Sequence, residues 1–333
     1  MKVKLALNYS EIISPVNLLL AWQEFLPGKR SKKDVIEYSL NLMDNILLLS
    51  AKLANQTYQH GGYCSFYVTD PKLRHIHKAS VTDRLIHHAI YRQLYPFFDK
   101  IFIADSYSCR LYKGTHKALK SFKKMADKVG HNQTRTAWIL QCDIRKFFAS
   151  INHQILIDTL NVCIEDEKIM GLLKNVIYSF QSGDGRGLPL GNLTSQLFVN
   201  IYMNIFDQFI KHKLKIKYYL RYADDFIIMS RNRENLVNVL NEIDNFLKTN
   251  LKLQLHPDKV YLRTLNSGID FLGWVNFSDY RVLRTKTKKR MMAKVKHDPK
   301  VSSLASYVGL IKHGNSFKIK EELLNNYWLA DNH

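Results

Sequence analysis

Arg221-Tyr222-Ala223-Asp224-Asp225-Phe226 sets two adjacent carboxylates between apolar, β-prone stretches, Tyr218-Tyr219-Leu220 before and Phe226-Ile227-Ile228-Met229 after. That pattern reads as a hairpin with both acids at its tip. Adjacent carboxylates repel unless a cation neutralises them. A hard divalent ion with oxygen ligands, Mg²⁺ above all, suits such a pair. A further acid, Asp143, lies in Trp138-Ile139-Leu140-Gln141-Cys142-Asp143-Ile144, which reads as a strand buried on both faces. Acids from two strands can hold two metal ions, a site that activates an attacking hydroxyl and steadies a departing pyrophosphate. An Asp-Asp pair alone also makes ordinary turns, so the weight rests on the surrounding elements.

The first sixty residues read as helical, with Ser14-Pro15 opening a helix and apolar residues recurring from Val35 to Leu53. Tyr63 to Thr69 reads as a strand, Asp70-Pro71 as a turn and Lys72 to Ile76 as the return strand. A helix is expected from Thr82 through Phe98, then an ordered loop and a basic helix after Lys113. Phe147-Phe148 turns into a helix beginning near His153. The Gly-rich stretch Ser182 to Gly187 lacks the Gly-Lys-Ser/Thr of a nucleotide-binding P-loop. A long helix is expected from Thr194 to about Lys213, burying Leu197, Ile201, Ile205 and Phe209, and an amphipathic one from Arg233 to Thr249.

A formal charge of +20 on a chain with 46% apolar residues describes a folded protein suited to a polyanionic partner. Residues 281–300 alone carry nine Lys or Arg against Asp298. The four cysteines are dispersed, which argues against structural zinc or a disulfide framework. His75, His77, His87 and His88 cluster without the further ligands a metal needs, so packing or RNA contact is expected of them. No apolar run approaches membrane-spanning length and no signal peptide opens the chain. The expectation is therefore a cytoplasmic protein with no membrane contact.

The order of motifs is stronger than any one of them. Arg74 sits in the first hairpin, then come Asp143 with Phe147-Phe148, Leu188-Pro189-Leu190-Gly191, the Tyr222–Asp225 hairpin, Lys259 in His256-Pro257-Asp258-Lys259-Val260, and Phe271-Leu272-Gly273-Trp274. The series resembles that of reverse transcriptases over essentially the whole chain, and within them the group II intron-like bacterial branch. It looks most like the enzymes of diversity-generating retroelements, on two features. Leu190 stands where most reverse transcriptases have Gln in Pro-Gln-Gly, and Ser195-Gln196 replaces their Ser-Pro. The chain also stops soon after the basic segment, leaving no room for maturase and endonuclease domains.

The resemblance implies an α+β right-hand polymerase with fingers, a palm of antiparallel sheet and helices, and a short helical thumb. The expected division is a helical extension at 1–60, fingers at 61–135 with a further segment at about 165–190, palm at 136–280 and thumb at 281–333. It implies an RNA-directed DNA polymerase that copies a template-repeat RNA into cDNA mutagenised at adenines. The implied catalytic set is Asp143, Asp224, Asp225 and Lys259, the three Asp holding two Mg²⁺ (or Mn²⁺ in substitution) and Lys259 aiding pyrophosphate departure. Asp143 and Asp224 are expected to bridge the ions most directly. Lys72, Arg74, Phe148, Leu190 and Gln196 are implied at the dNTP, with Phe148 against the sugar 2′ position. Lys286, Lys288, Lys289, Arg290 and Lys294 are expected on duplex phosphates. Implied partners are template RNA, cDNA, dNTPs and a small basic oligomeric accessory variability determinant, in a bacterial, archaeal or phage setting. An abortive-infection defence enzyme, a retron-like enzyme and a non-enzymatic RNA-binding protein are the other readings.

Overall fold

The computed structural model describes residues 3–69 and 73–331. The expected Asp70-Pro71 turn and Lys72 lie outside the described residues. Helices α1 (Tyr9–Ile13), α2 (Pro15–Phe25), α3 (Lys33–Leu40) and α4 (Leu42–Ala54) come first, then hairpin β1 (Tyr63–Val68) and β2 (Arg74–Ala79). Next are α5 (Val81–Ile101), α6 (Thr115–Val129), β3 (Trp138–Ile144), α7 (Phe147–Ser150), α8 (His153–Asn161) and α9 (Glu167–Tyr178). Helix α10 (Leu193–Gln208) leads to β4 (Tyr219–Tyr222), β5 (Asp225–Ser230), α11 (Arg233–Asn250) and β6 (Leu255–Thr264). Three short strands, β7 (Ile269–Phe271), β8 (Trp274–Asn276) and β9 (Arg281–Leu283), precede α12 (Thr285–His297), α13 (Val301–Ile311) and α14 (Phe317–Asp331).

The central sheet runs β4-β5-β3-β6, antiparallel throughout. Side chains alternate across it. Leu140, Cys142, Ile144, Tyr219, Phe226 and Ile228 point into a core that also takes in α2, α5, α8, α10 and α11. Ile139, Leu220, Ile227 and Met229 point the other way, into a second core built with α6, β7–β9 and α12–α14. The N-terminal helices are part of the first core, through Leu18, Phe25, Ile46 and Leu53 against Leu85 and Ile90.

Three expectations are corrected. Strand β3 is not buried on both faces: Gln141 and Asp143, on the side of Ile139, are only half-buried, because the second core stops short of that end of the strand. The long helix is not α-helical to Lys213: α10 ends at Gln208 and the chain widens into a π-helical turn, Phe209–Lys213, which keeps Ile210 in the core. The return strand of the first hairpin begins at Arg74 and runs on to Ala79.

Helix α5 buries His87, at 1% exposure, with Nε2 3.1 Å from Nε2 of His60. Burial first, and then the neighbouring basic groups His60, His88 and Arg84, hold His87 well below the usual imidazole range. The sign follows by linkage: below pH ~6.5 the unfolded chain takes up a proton that the folded His87 refuses. Stability is therefore expected to fall as pH drops through that value, by about 1.4 kcal/mol per pH unit for the one proton. Thermal unfolding between pH 7.5 and 5.5 checks this. His87→Gln should flatten the decline, and an equally steep decline would assign it to other groups.

Candidate active site

The hairpin reading of the Asp pair is what the fold shows: β4 and β5 pair Tyr222 with Asp225, leaving Ala223 and Asp224 as the turn. The next strand brings Asp143 directly opposite Asp225 in register. Directly opposed like charges destabilise a sheet, so the protein compensates on both sides. Lys259 Nζ lies 2.9 Å from Asp143 Oδ1. That contact follows from β6, whose pairing with β3 is irregular between Cys142 and Ile144, opposite Val260 and Leu255. Gln141 Nε2 donates to Asp225 Oδ1 at 3.3 Å and to the Asp270 carbonyl at 3.0 Å.

Asp225 is pushed up to about 8. Burial is the largest cause, the Gln141 amide works against it, and the carboxylates of Asp143, Asp224 and Asp270 add to the rise. The site is thus short of positive charge. Among the described residues no three His, Cys, Asp or Glu side chains are arranged as a metal-binding group. Asp143 is turned onto Lys259 and Asp225 onto Gln141. The donor chemistry nevertheless fits a hard divalent ion: carboxylate oxygens from two adjacent strands, with the Asp225 carboxyl pushed up first by burial and then by its acidic neighbours. A cavity of about 290 Å³ opens beside these acids, lined among others by Gln141, Lys259, Tyr261, Arg263, Asp270 and Arg284. Arg284 caps the start of α12 and bonds Asp270, so Gln141 and Asp270 link Asp225 to the first C-terminal helix.

Backbone and amide bonds join three of the segments that carry expected substrate residues. The Leu188 amide donates to the Phe148 carbonyl at 2.8 Å, and the His77 amide donates to the Leu190 carbonyl at 3.1 Å. Asn192 Nδ2 donates in turn to the His77 carbonyl at 2.9 Å. The segment 188–192 therefore joins the Phe148 turn to strand β2. Gly191 makes this possible: its φ is +108°, and a Cβ there would meet Ile76 Cγ2 at 2.9 Å. Phe147 is buried, and Phe148 stands edge-on to it with a half-buried ring. Arg74 is exposed at the start of β2, and Gln196 is half-buried in the first turn of α10. Their distances to the acids are set by separate elements, so only the links just described tie these segments together.

Lys286, Lys289, Arg290 and Lys294 stand exposed on α12. Lys288 differs: its ammonium is 2.8 Å from Glu322 of α14, which narrows the phosphate-facing set. The basic helix expected after Lys113 forms a second basic surface, to which no phosphate contact was assigned from sequence. Lys117, Lys120, Lys124 and Lys128 are all exposed along one side of α6, spaced by three or four residues, while Ala118, Leu119, Phe122 and Ala126 are buried. Gln141 and Arg221 were also passed over. The signal for each was period-two spacing: Gln141 shares a face with Asp143, and Arg221 is an ionised residue at an inward position of a strand.

Residues 69–276 match the family described as Reverse transcriptase (RNA-dependent DNA polymerase). Protein YkfC of Escherichia coli K12 is 25% identical over 255 residues, covering 65% of each chain. The group II intron-encoded protein LtrA of Lactococcus lactis subsp. cremoris is 24% identical, over 85% of this chain and 58% of its own. The chain thus spans less than two thirds of the length of these relatives. Among solved structures, apo telomerase from Candida tropicalis, truncated from its C-terminal domain, superposes with a TM-score of 0.50 at 13% identity, over 68% of this chain and 55% of that one. That likeness concerns the fold, which is the expected α+β right-hand polymerase. With the family match covering well over half of its residues, the chain belongs to the reverse transcriptase (RNA-dependent DNA polymerase) family.

Proposed function

We propose that this protein is an RNA-directed DNA polymerase of a diversity-generating retroelement, copying a template-repeat RNA into cDNA with errors concentrated at adenines. The observation that carries the polymerase reading is the cross-strand pair Asp143–Asp225, with Asp224 in the adjoining turn, inside a reverse transcriptase fold. The retroelement reading rests on Leu190, in the segment that joins the Phe148 turn to β2, and on Ser195-Gln196 in the first turn of α10. On this reading residues 1–60 are a helical extension, 61–135 and about 165–190 the fingers, 136–280 the palm and 281–333 the thumb.

Asp143, Asp224 and Asp225 would hold the divalent ions, Mg²⁺ or Mn²⁺ in substitution. When bound, such ions lower the pKa of the primer hydroxyl and neutralise charge on the departing pyrophosphate. The chain's own groups do the rest. Lys259, beside Asp143, would give a proton to the leaving pyrophosphate. Arg74, with Lys72, would bind the triphosphate, since guanidinium matches phosphate oxygens bidentately. The Phe148 ring would occupy the space a ribose 2′-hydroxyl needs. Leu190 has no donor or acceptor with which to report base-pair fit, so a correct pair gains less over a mismatch. Gln196, in the first turn of α10, would lie near the incoming nucleotide. Lys286, Lys289, Arg290 and Lys294 would contact duplex phosphates. The partners on this reading are template RNA, cDNA, dNTPs and a small basic accessory variability determinant, in a cytoplasmic setting. No helix among the described residues is long and apolar enough to cross a membrane.

The test is to sequence cDNA made from the RNA encoded beside the gene, with dNTPs and Mg²⁺, with and without the neighbouring small protein. Errors enriched opposite template adenines are expected. Uniformly accurate cDNA would overturn the retroelement reading and leave the polymerase standing. No RNA-directed synthesis at all would overturn both.

A further inference from the structure

We propose that Arg221 is a positioning residue for catalysis: its guanidinium clamps the backbone carbonyl of Ala223 and thereby fixes the turn that carries Asp224 and Asp225. The proposal rests on the reading of those acids as the catalytic pair. Arg221 is 0% exposed and lies on the helix-packed side of β4, so it touches neither substrate nor metal. Its donors reach three separate elements: α10, the loop before α6 and the β4–β5 turn. Nε donates to Asp207 Oδ1 at 2.8 Å and Nη2 to Asp207 Oδ2 at 2.6 Å, both on α10. Nη2 also donates to Ser106 Oγ at 3.1 Å in the loop before α6, and Nη1 to Asn200 Oδ1 at 3.3 Å. The remaining bond runs from Nη1 to the Ala223 carbonyl at 3.0 Å.

That last bond is the one a buried ion pair does not need. Asp207 alone balances the charge, and it is itself 0% exposed and bonded by Tyr219. The turn does need it. Ala223 sits at φ +57°, the left-handed region that a β-carbon disfavours. A two-residue turn holding a strained alanine just before two adjacent acids would relax unless its carbonyl were tied down. The guanidinium ties it to the rigid centre of the fold: the Arg221 amide donates to the Asp105 carbonyl at 3.0 Å, and its own carbonyl accepts from the Tyr107 amide at 3.0 Å. A lysine at this place could balance Asp207 but has one nitrogen, and cannot span Asp207, Ser106, Asn200 and Ala223 together.

The clamp and a purely structural ion pair predict different behaviour. Asp207→Asn with Arg221→Met removes both charges at once, which avoids a lone buried charge, and keeps an acceptor for Tyr219. In that variant kcat on an RNA template should fall about 30-fold, because misplacing a reacting group by about 1 Å costs up to about a hundredfold. KM for dNTP and the affinity for RNA–DNA duplex should stay within about threefold of wild type, since neither ligand touches Arg221. Mn²⁺ binding, measured by electron paramagnetic resonance without nucleic acid, should weaken about tenfold, as expected for a loosened ligand turn. Adding Ala223→Gly should return at least about fivefold of kcat, because glycine enters the left-handed region without the alanine cost. The same substitution in wild type should return nothing. If the double variant does not fold, Arg221→Lys with and without Ala223→Gly makes the same comparison. Unchanged kcat and Mn²⁺ affinity in the folded variant, or a loss that glycine does not relieve, overturns the clamp. Wild-type protein that makes no DNA overturns the catalytic reading instead, and the Mn²⁺ measurement then still decides whether Arg221 orders the turn.

Discussion

Replacing Asp225 by Asn is expected to reduce RNA-directed primer extension by at least about a thousandfold, the scale seen when preorganised stabilisation of developing charge is removed. The same substitution should make the metal-free protein more stable. Asp225 is pushed up to about 8, chiefly by burial and then by Asp143, Asp224 and Asp270. Between pH ~4 and ~8 the unfolded chain has lost this proton and the folded one keeps it. Stability therefore falls as pH rises across that window, by at most about 1.4 kcal/mol per pH unit. Asn keeps the shape, accepts from Gln141 and carries no charge. Its advantage in unfolding temperature over wild type should widen from pH 5 to pH 8 and shrink when Mg²⁺ is added to wild type. Calorimetry and a primer-extension assay on one preparation check both halves. Retained synthesis would remove Asp225 from the catalytic set, and a constant stability gap would show that its proton is not the cause.

The second large effect is expected at Phe148. Its ring is half-buried, on the turn bonded to Leu188, and edge-on to the buried Phe147. If the ring fills the space of a ribose 2′-hydroxyl, Phe148→Ala should raise rNTP use relative to dNTP by about 10- to 100-fold. Forcing one extra group into a packed site costs about 1–3 kcal/mol, and each ~1.4 kcal/mol is tenfold in rate. Synthesis with dNTP should survive. A ring that is merely structural would give another result: loss of stability on truncation with the rNTP to dNTP ratio unchanged. Single-nucleotide incorporation with matched dNTP and rNTP, alongside thermal unfolding, separates the two.

Much of the fold was legible because local patterns and tertiary contacts agree. The apolar, β-prone stretches around the Asp pair and around Asp143 became β4, β5 and β3, with β4 starting one residue later, at Tyr219. Helix α6 buries its apolar stripe and exposes lysine. Helix α11 spans Arg233–Asn250, one residue beyond the expected end. The misses are equally physical. Period-two alternation could not say that the Gln141 and Asp143 side of β3 would stay open, because that depends on where α6 and β7–β9 stop covering the sheet. Nor could helical periodicity reveal the π-helical turn after Gln208, since the extra residue is absorbed by packing around Ile210.

By itself, the sequence determined which residues can do chemistry and in what order they come: an upstream strand acid, a Phe pair, the Leu-Pro-Leu-Gly segment, the Asp-Asp hairpin and the Lys259 segment. Residue type and spacing along one chain are enough for that. Tertiary structure decided which groups face one another. It set Asp225 rather than Asp224 opposite Asp143, turned Lys259 onto Asp143, spent Lys288 on Glu322, and buried Arg221 beneath the turn that carries Asp224. Those pairings join residues up to 116 positions apart. They are fixed by strand register and by the burial of charge, and both depend on the whole core rather than on any local stretch.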